Sequence, residues 1–131
     1  MDMQVIEGKV LRILVADDQW EVCSALQLLL SHETGMLILG QASDAQELLN
    51  SLEQTSPDLV LLDWELPGLQ KQNQTREVTI ADLREKFPNV KLVALSCRPE
   101  ARTEAMAGNT DAFVSKVDPP EVLINTLNSL E

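Results

Sequence analysis

The 131-residue chain has one histidine and two cysteines, too few nitrogen and sulfur donors, in no ligand-like spacing, to assemble a zinc site. His32 falls beyond the apolar run that precedes it and reads as a solvated helix-end residue. Cys23 and Cys97 lie inside apolar segments and read as reduced core thiols. Positive charge is scarce as well: ten basic residues stand against twenty-one acidic ones, a formal net charge of −11. A field of that sign repels phosphate backbones and anionic lipid, so no direct nucleic acid binding by this chain is expected. No apolar run has the length that crosses a bilayer, and the first residues lack the basic start and hydrophobic stretch of a signal peptide. The expectation is a cytoplasmic location with no membrane partner. None of the five glycines falls in a phosphate-cradling cluster, which argues against a nucleotide or flavin binder.

What is present is ordinary globular composition, 44% hydrophobic and 24% charged residues, at the length of one domain. Residues 1–8 read as a flexible lead-in and 9–131 as the folded domain. Short aliphatic runs at Leu11–Ala16, Met36–Ala42, Asp58–Asp63, Lys91–Leu95 and Ala112–Val114 read as buried strands. Between them, apolar residues recur at helical spacing: Val22, Leu26, Leu29 and Leu30 in a first helix, and Leu48, Leu49 and Leu52 in a second, with Ser43 as its cap and Gln46 three positions on. The tract from Leu69 to Thr75 has no apolar face and reads as a long exposed loop before a helix over 77–86. A short helix over 99–107 ends near Gly108-Asn109, and the last is capped by Asp118, with Pro119 in its first turn and Glu121 in register for a capping box. Five strands alternating with five helices call for a flavodoxin-like, doubly wound α/β fold: a parallel sheet in the order 2-1-3-4-5, covered on both faces.

Open sheets of this kind form their sites at the carboxyl ends of the strands, where the strand order reverses. Asp17 and Asp18 follow the first strand, Asp63 ends the third, Ser96 the fourth, and Lys116 follows the fifth. Taken singly, each has a plainer explanation: acidic pairs cap helices, lysines are solvated, strand-end serines sit in turns. Together they bring three carboxylates, a hydroxyl and an ammonium to one edge. Carboxylates so crowded need a cation, and hard oxygen ligands suit Mg²⁺ or Mn²⁺. Lys116 can hold an incoming phosphoryl oxygen and Ser96 can donate a hydrogen bond to one. With a carboxylate as nucleophile, the chemistry is phosphoryl transfer to Asp63.

The ordered set of residues resembles the receiver domains of two-component response regulators, over Leu11 to about Leu130. Asp17-Asp18 match that family's acidic pair, and Asp63 with Pro67-Gly68 its phosphoacceptor followed by proline and glycine. Ser96 matches its switch hydroxyl, Phe113 its switch aromatic three positions before a lysine, and Lys116 that lysine. The resemblance implies that Asp18, Asp63 and the backbone carbonyl of Glu65 bind the metal, with Asp17 assisting through water. It implies a phosphohistidine donor, on a sensor histidine kinase or a histidine phosphotransfer protein. Ser96 and Phe113 would then reorient, changing the surface of the fourth helix, fifth strand and fifth helix. No catalysis is expected beyond the domain's own phosphoryl transfer and dephosphorylation.

The sequence departs from the family pattern in four places. The segment from Gly68 to Val78 is longer and more polar than usual. Cys97 replaces the small residue after the switch hydroxyl and would narrow access to Asp63. Glu65 adds negative charge near the pocket and is expected to alter the dephosphorylation rate. Lys116 is followed by Val-Asp-Pro-Pro, which leans toward receivers fused to helix-turn-helix domains, so the chain also reads as the receiver portion of a transcriptional regulator. A homodimer formed on phosphorylation stays open, as does a phosphorylation-independent docking module. Asp63-Trp64-Glu65 is also similar to the acidic motif of aspartate-nucleophile phosphatases, but it follows the third strand rather than the first.

Overall fold

The computed structural model describes residues 10–130; the lead-in expected at 1–8 lies outside them. Alternation within the strands decides the architecture. In β1 (Leu11–Ala16), Leu14 and Ala16 face one side of the sheet, and Leu11, Ile13 and Val15 face the other. The same division runs through β3 (Leu59–Asp63), where Val60 and Leu62 oppose Leu59 and Leu61, and through β4 (Lys91–Ser96), where Leu92 and Ala94 oppose Val93 and Leu95. A strand apolar on both sides must be covered on both, and the helices divide accordingly. Helices α2 (Ala45–Thr55), α3 (Arg76–Lys86) and α4 (Ala101–Ala107) present Leu48 and Leu52, Ile80 and Leu83, and Ala101 and Ala105 to the first face. Helices α1 (Trp20–Ser31) and α5 (Pro120–Ser129) present Cys23, Leu26 and Leu30, and Leu123 and Leu127, to the second. These three- and four-residue spacings are the buried stripes of amphipathic helices.

With β2 (Met36–Ala42) and β5 (Ala112–Ser115) at the edges, the strands lie in the order β2-β1-β3-β4-β5, and every pairing is parallel. The order reverses between β1 and β3, so a crevice opens where these neighbours end, at Ala16 and Asp63.

Three local expectations are corrected. The cap of α2 is Asp44, not Ser43: its carboxylate accepts from the Glu47 amide at 2.8 Å, while Glu47 Oε1 accepts from the Ser43 amide at 2.8 Å. Asp44 thus takes the capping place expected of Ser43, and Glu47 rather than Gln46 reaches back, to the amide one residue before the cap. Asp118 does not cap α5, which starts at Pro120 without a side-chain cap; its Oδ2 accepts from the Ser115 amide at 3.2 Å and closes the preceding turn. The polar tract is not wholly exposed. Leu69 is fully buried and accepts from Thr79 Oγ1 at 2.8 Å through its carbonyl, and Lys71 and Gln74 pair as an antiparallel bridge.

Candidate functional site

Asp63 is 3% exposed at the end of β3, and Asp17 is fully buried just past β1. The chain turns sharply after each. Asp17 Oδ1 accepts from the Gln19 amide at 2.9 Å and Asp63 Oδ1 from the Glu65 amide at 3.0 Å, so each carboxylate folds back on its own loop. Exposed Asp18 completes an acidic group in which one oxygen of each residue lies within 4.8 Å of the others. Lys116 crosses from the end of β5 to close the pocket, its Nζ 2.8 Å from Asp17 Oδ2, 3.4 Å from Asp63 Oδ1 and 3.3 Å from Gln19 Oε1. A backbone bond from its amide to the Ser96 carbonyl at 3.0 Å fixes where that lysine starts.

The electrostatics follow from burial. Loss of water pushes the Asp63 carboxyl above its ordinary value; the Glu65 amide and Lys116 pull the other way, while Asp17 and Glu65 add to the rise. Burial works against the Lys116 ammonium, but its close contact with Asp17 and the charges of Asp63 and Asp17 prevail and raise its pKa. Asp17 Oδ2 has the ammonium beside it yet no well-angled hydrogen bond. A buried carboxylate oxygen left short of donors, within reach of two further carboxylates, is a donor set that suits a hard divalent cation.

Ser96 is fully buried at the end of β4, and its hydroxyl donates to Glu65 Oε1 at 2.9 Å, not to Asp63. Phe113 is 8% exposed, in the core between sheet and helices, with the Arg102 guanidinium 4.9 Å above its ring. The Glu65 carboxylate does not stand free in the pocket: Arg98 Nε and Nη2 both reach its Oε2 at 2.9 Å. Neither Arg98 nor its second partner Glu104 was expected at the site. The signal was slight, an arginine two residues past Ser96 amid nearby glutamates. Cys23 is buried as expected and donates to the Asp17 carbonyl at 3.5 Å, but Cys97 is exposed, because β4 ends at Ser96 and the next residue leaves the core. His32, the last residue of the α1 cap, is exposed.

Residues 13–128 match the family model described as the response regulator receiver domain. The chain belongs to that family and is a receiver domain of two-component response regulators. Among its relatives, the transcriptional regulatory protein YxjL of Bacillus subtilis, a protein described as uncharacterized, is 26% identical over 121 residues, which is 91% of this chain and 53% of that one. The response regulator GacA of Pseudomonas viridiflava is 31% identical over 86 residues, covering 66% of this chain and 38% of GacA. A crystal structure of a DNA-binding response regulator of the LuxR family from Staphylococcus aureus is 26% identical with a TM-score of 0.77, covering 92% of this chain and 98% of that one. The chain spans about half or less of the length of the curated relatives it matches. Among the described residues, no helix is long and apolar enough to cross a membrane.

Proposed function

We propose that Asp63 is the phosphoacceptor of this receiver domain. The observation that carries the reading is a nearly buried carboxylate at the sheet's switch point, facing Lys116 at 3.4 Å and grouped with Asp17 and Asp18. An Asp63 oxygen attacks the phosphorus of a phosphohistidine on a sensor histidine kinase or histidine phosphotransfer protein. A P–O bond forms, the P–N bond breaks, and the electron pair returns to the imidazole. Lys116 holds a phosphoryl oxygen by charge and hydrogen bond. Asp17, Asp18, Asp63 and the Glu65 backbone carbonyl are the groups that would hold Mg²⁺ or Mn²⁺, which neutralises charge on the transferring group when bound.

In this reading Ser96 and Phe113 are the switch, and the output is the surface of α4, β5 and α5. The added phosphoryl charge biases a two-state element, typically by about 1–3 kcal/mol. The relatives' names support a place in a transcriptional regulator, with DNA contact left to another part of such a protein, and a cytoplasmic location goes with that role.

The test is intact mass after incubation with a small phosphoryl donor, with and without Mg²⁺, on the wild type and Asp63→Asn. The expected result is one added phosphoryl group that requires both the metal and Asp63. No addition to the wild type would leave a docking module that works without phosphorylation.

A further inference from the structure

A chain of side chains leads away from the switch serine. The Ser96 hydroxyl donates to Glu65 Oε1 at 2.9 Å, and its oxygen accepts from the Arg98 amide at 3.0 Å. Glu65 Oε2 is held by Arg98 at 2.9 Å, and Arg98 Nη2 extends to Glu104 Oε1 at 3.2 Å. That same Glu104 oxygen accepts from the indole Nε1 of Trp64 at 2.8 Å. Trp64 is fully buried, directly follows Asp63, and is tied to β4 by a hydrogen bond from its backbone N–H to the Leu95 carbonyl at 2.8 Å. The network therefore begins and ends beside the acceptor aspartate.

A hydroxyl carries one hydrogen, and here it is committed to Glu65. Donation to a phosphoryl oxygen on Asp63 requires that bond to break. Resting on the phosphoacceptor reading of Asp63, we propose that Glu65 and Arg98, braced by Glu104, form a latch that holds the Ser96 hydroxyl in the resting position, and that Trp64 registers its release. Arg98 is a positioning residue in this scheme, acting on Ser96 through Glu65. A phosphoryl group on Asp63 trips the latch in two ways: it competes for the serine proton, and its charge repels the nearby Glu65 carboxylate. The side chains of Glu65, Arg98 and Glu104 are each between 35 and 39% exposed, so water and salt weaken the pairs and the latch yields to a modest bias.

The sign of one substitution separates this from simple charge effects. Arg98→Ala removes a positive charge near an anion site, which by electrostatics alone weakens binding of a phosphoryl mimic. The latch predicts the opposite, because Glu65, no longer held in place by Arg98, turns out into water and gives up the Ser96 hydroxyl, which then no longer has to be released. The probe is beryllofluoride with Mg²⁺, titrated in a Trp20→Phe background so that Trp64 is the only indole, since Trp20 is 68% exposed. The expected result is a Trp64 emission change on saturation and a midpoint on the order of fivefold lower for Arg98→Ala. Arg98→Lys falls between the two, and the gain vanishes when Ser96→Ala is added. An Arg98→Ala midpoint equal to or higher than the parent's, with Asp63 still gaining mass from a phosphoryl donor, would overturn the latch alone. A gain that survives Ser96→Ala would do the same. No mass gain and no beryllofluoride response in the parent would overturn the phosphoacceptor reading, and the latch with it.

Discussion

Lys116 stands between two carboxylates that have lost nearly all contact with water, and its ammonium is what makes their burial tolerable. Lys116→Met leaves Asp17 and Asp63 facing each other without that cation. We expect it to lower unfolding free energy by about 3 kcal/mol, read by urea denaturation at neutral pH. An unchanged denaturation midpoint would show that the carboxylates relieve themselves another way. Glu104 gives a second prediction. Its bond from Trp64, and then its bond from Arg98, hold its carboxyl below the ordinary value of 4.5. A carboxylate depressed by folding contributes stability that is present above its unfolded pKa and lost as the pH falls through the folded one. The step in Trp64 emission that Glu104→Gln abolishes should therefore fall below pH 4.5, whatever the raised Asp63 carboxyl next to Trp64 adds above it. A Glu104-dependent step centred above 4.5 would contradict the bond. Asp17, Asp18, Asp63, Ser96 and Lys116 were legible because each ends or follows a strand, and a parallel sheet gathers strand ends on one edge. Arg98 and Glu104 were not, because an ion pair between a strand-end loop and the next helix depends on side-chain reach, which spacing does not encode.

At the scale of the element, the loop after Asp63 is held by its neighbour. The Pro67 carbonyl accepts from the Ala45 amide at 2.8 Å, and Gly68 lies against α2 with a φ of +92°. A Cβ at that position would meet the Ala45 Cβ at 3.0 Å. Gly68→Ala thus combines left-handed strain with a clash between two packed segments, and should cost about 1–3 kcal/mol in thermal or urea unfolding. Asp44→Ala removes the N-cap bond of α2 and should cost about 1 kcal/mol, while Ser43→Ala, which removes no cap, should leave stability almost unchanged. Equal losses from the two would restore Ser43 as the cap. The strands were readable to within a residue because unbroken aliphatic runs have few alternatives. The α2 cap was displaced because Ser43 and Asp44 are adjacent and both good capping residues, and spacing alone does not choose between them. Leu69 was misjudged for a similar reason: one leucine in a polar tract makes no periodic signal, yet the turn that carries it is pinned by Thr79.

For the whole molecule, the balance of charge sets the response to cations. A net charge of −11 opposes compaction, and three of its carboxylates, Asp17, Asp18 and Asp63, meet at the crevice between β1 and β3. A ligand that binds only the folded state stabilises it according to its concentration. Mg²⁺ at about ten times its dissociation constant should therefore add about 1.4 kcal/mol to unfolding free energy. The same ionic strength supplied by a sodium salt should add less, and Asp63→Asn should erase the difference. Equal effects of the two salts would mean that general screening, not a site, is responsible. The layered architecture was legible from alternation in β1, β3 and β4, where neither face is polar; the half-exposed edge strand β2 carries the weaker pattern, and its pairing slips one residue between Ile13 and Leu14.

The strand order also governs how the chain can acquire its shape. Since every pairing in the sheet is parallel, no strand meets its partner through a tight hairpin, and each contact waits for an intervening helix to be spanned. The central pair is the most delayed: β1 has to find β3 across both α1 and β2 as well as α2. Such long closures slow folding relative to a helical bundle of similar size. During synthesis the first strand can dock only on β2 until residues 59–62 leave the ribosome. Until then the aliphatic flank of β1 that will meet β3 stays open to chaperones and to neighbouring chains.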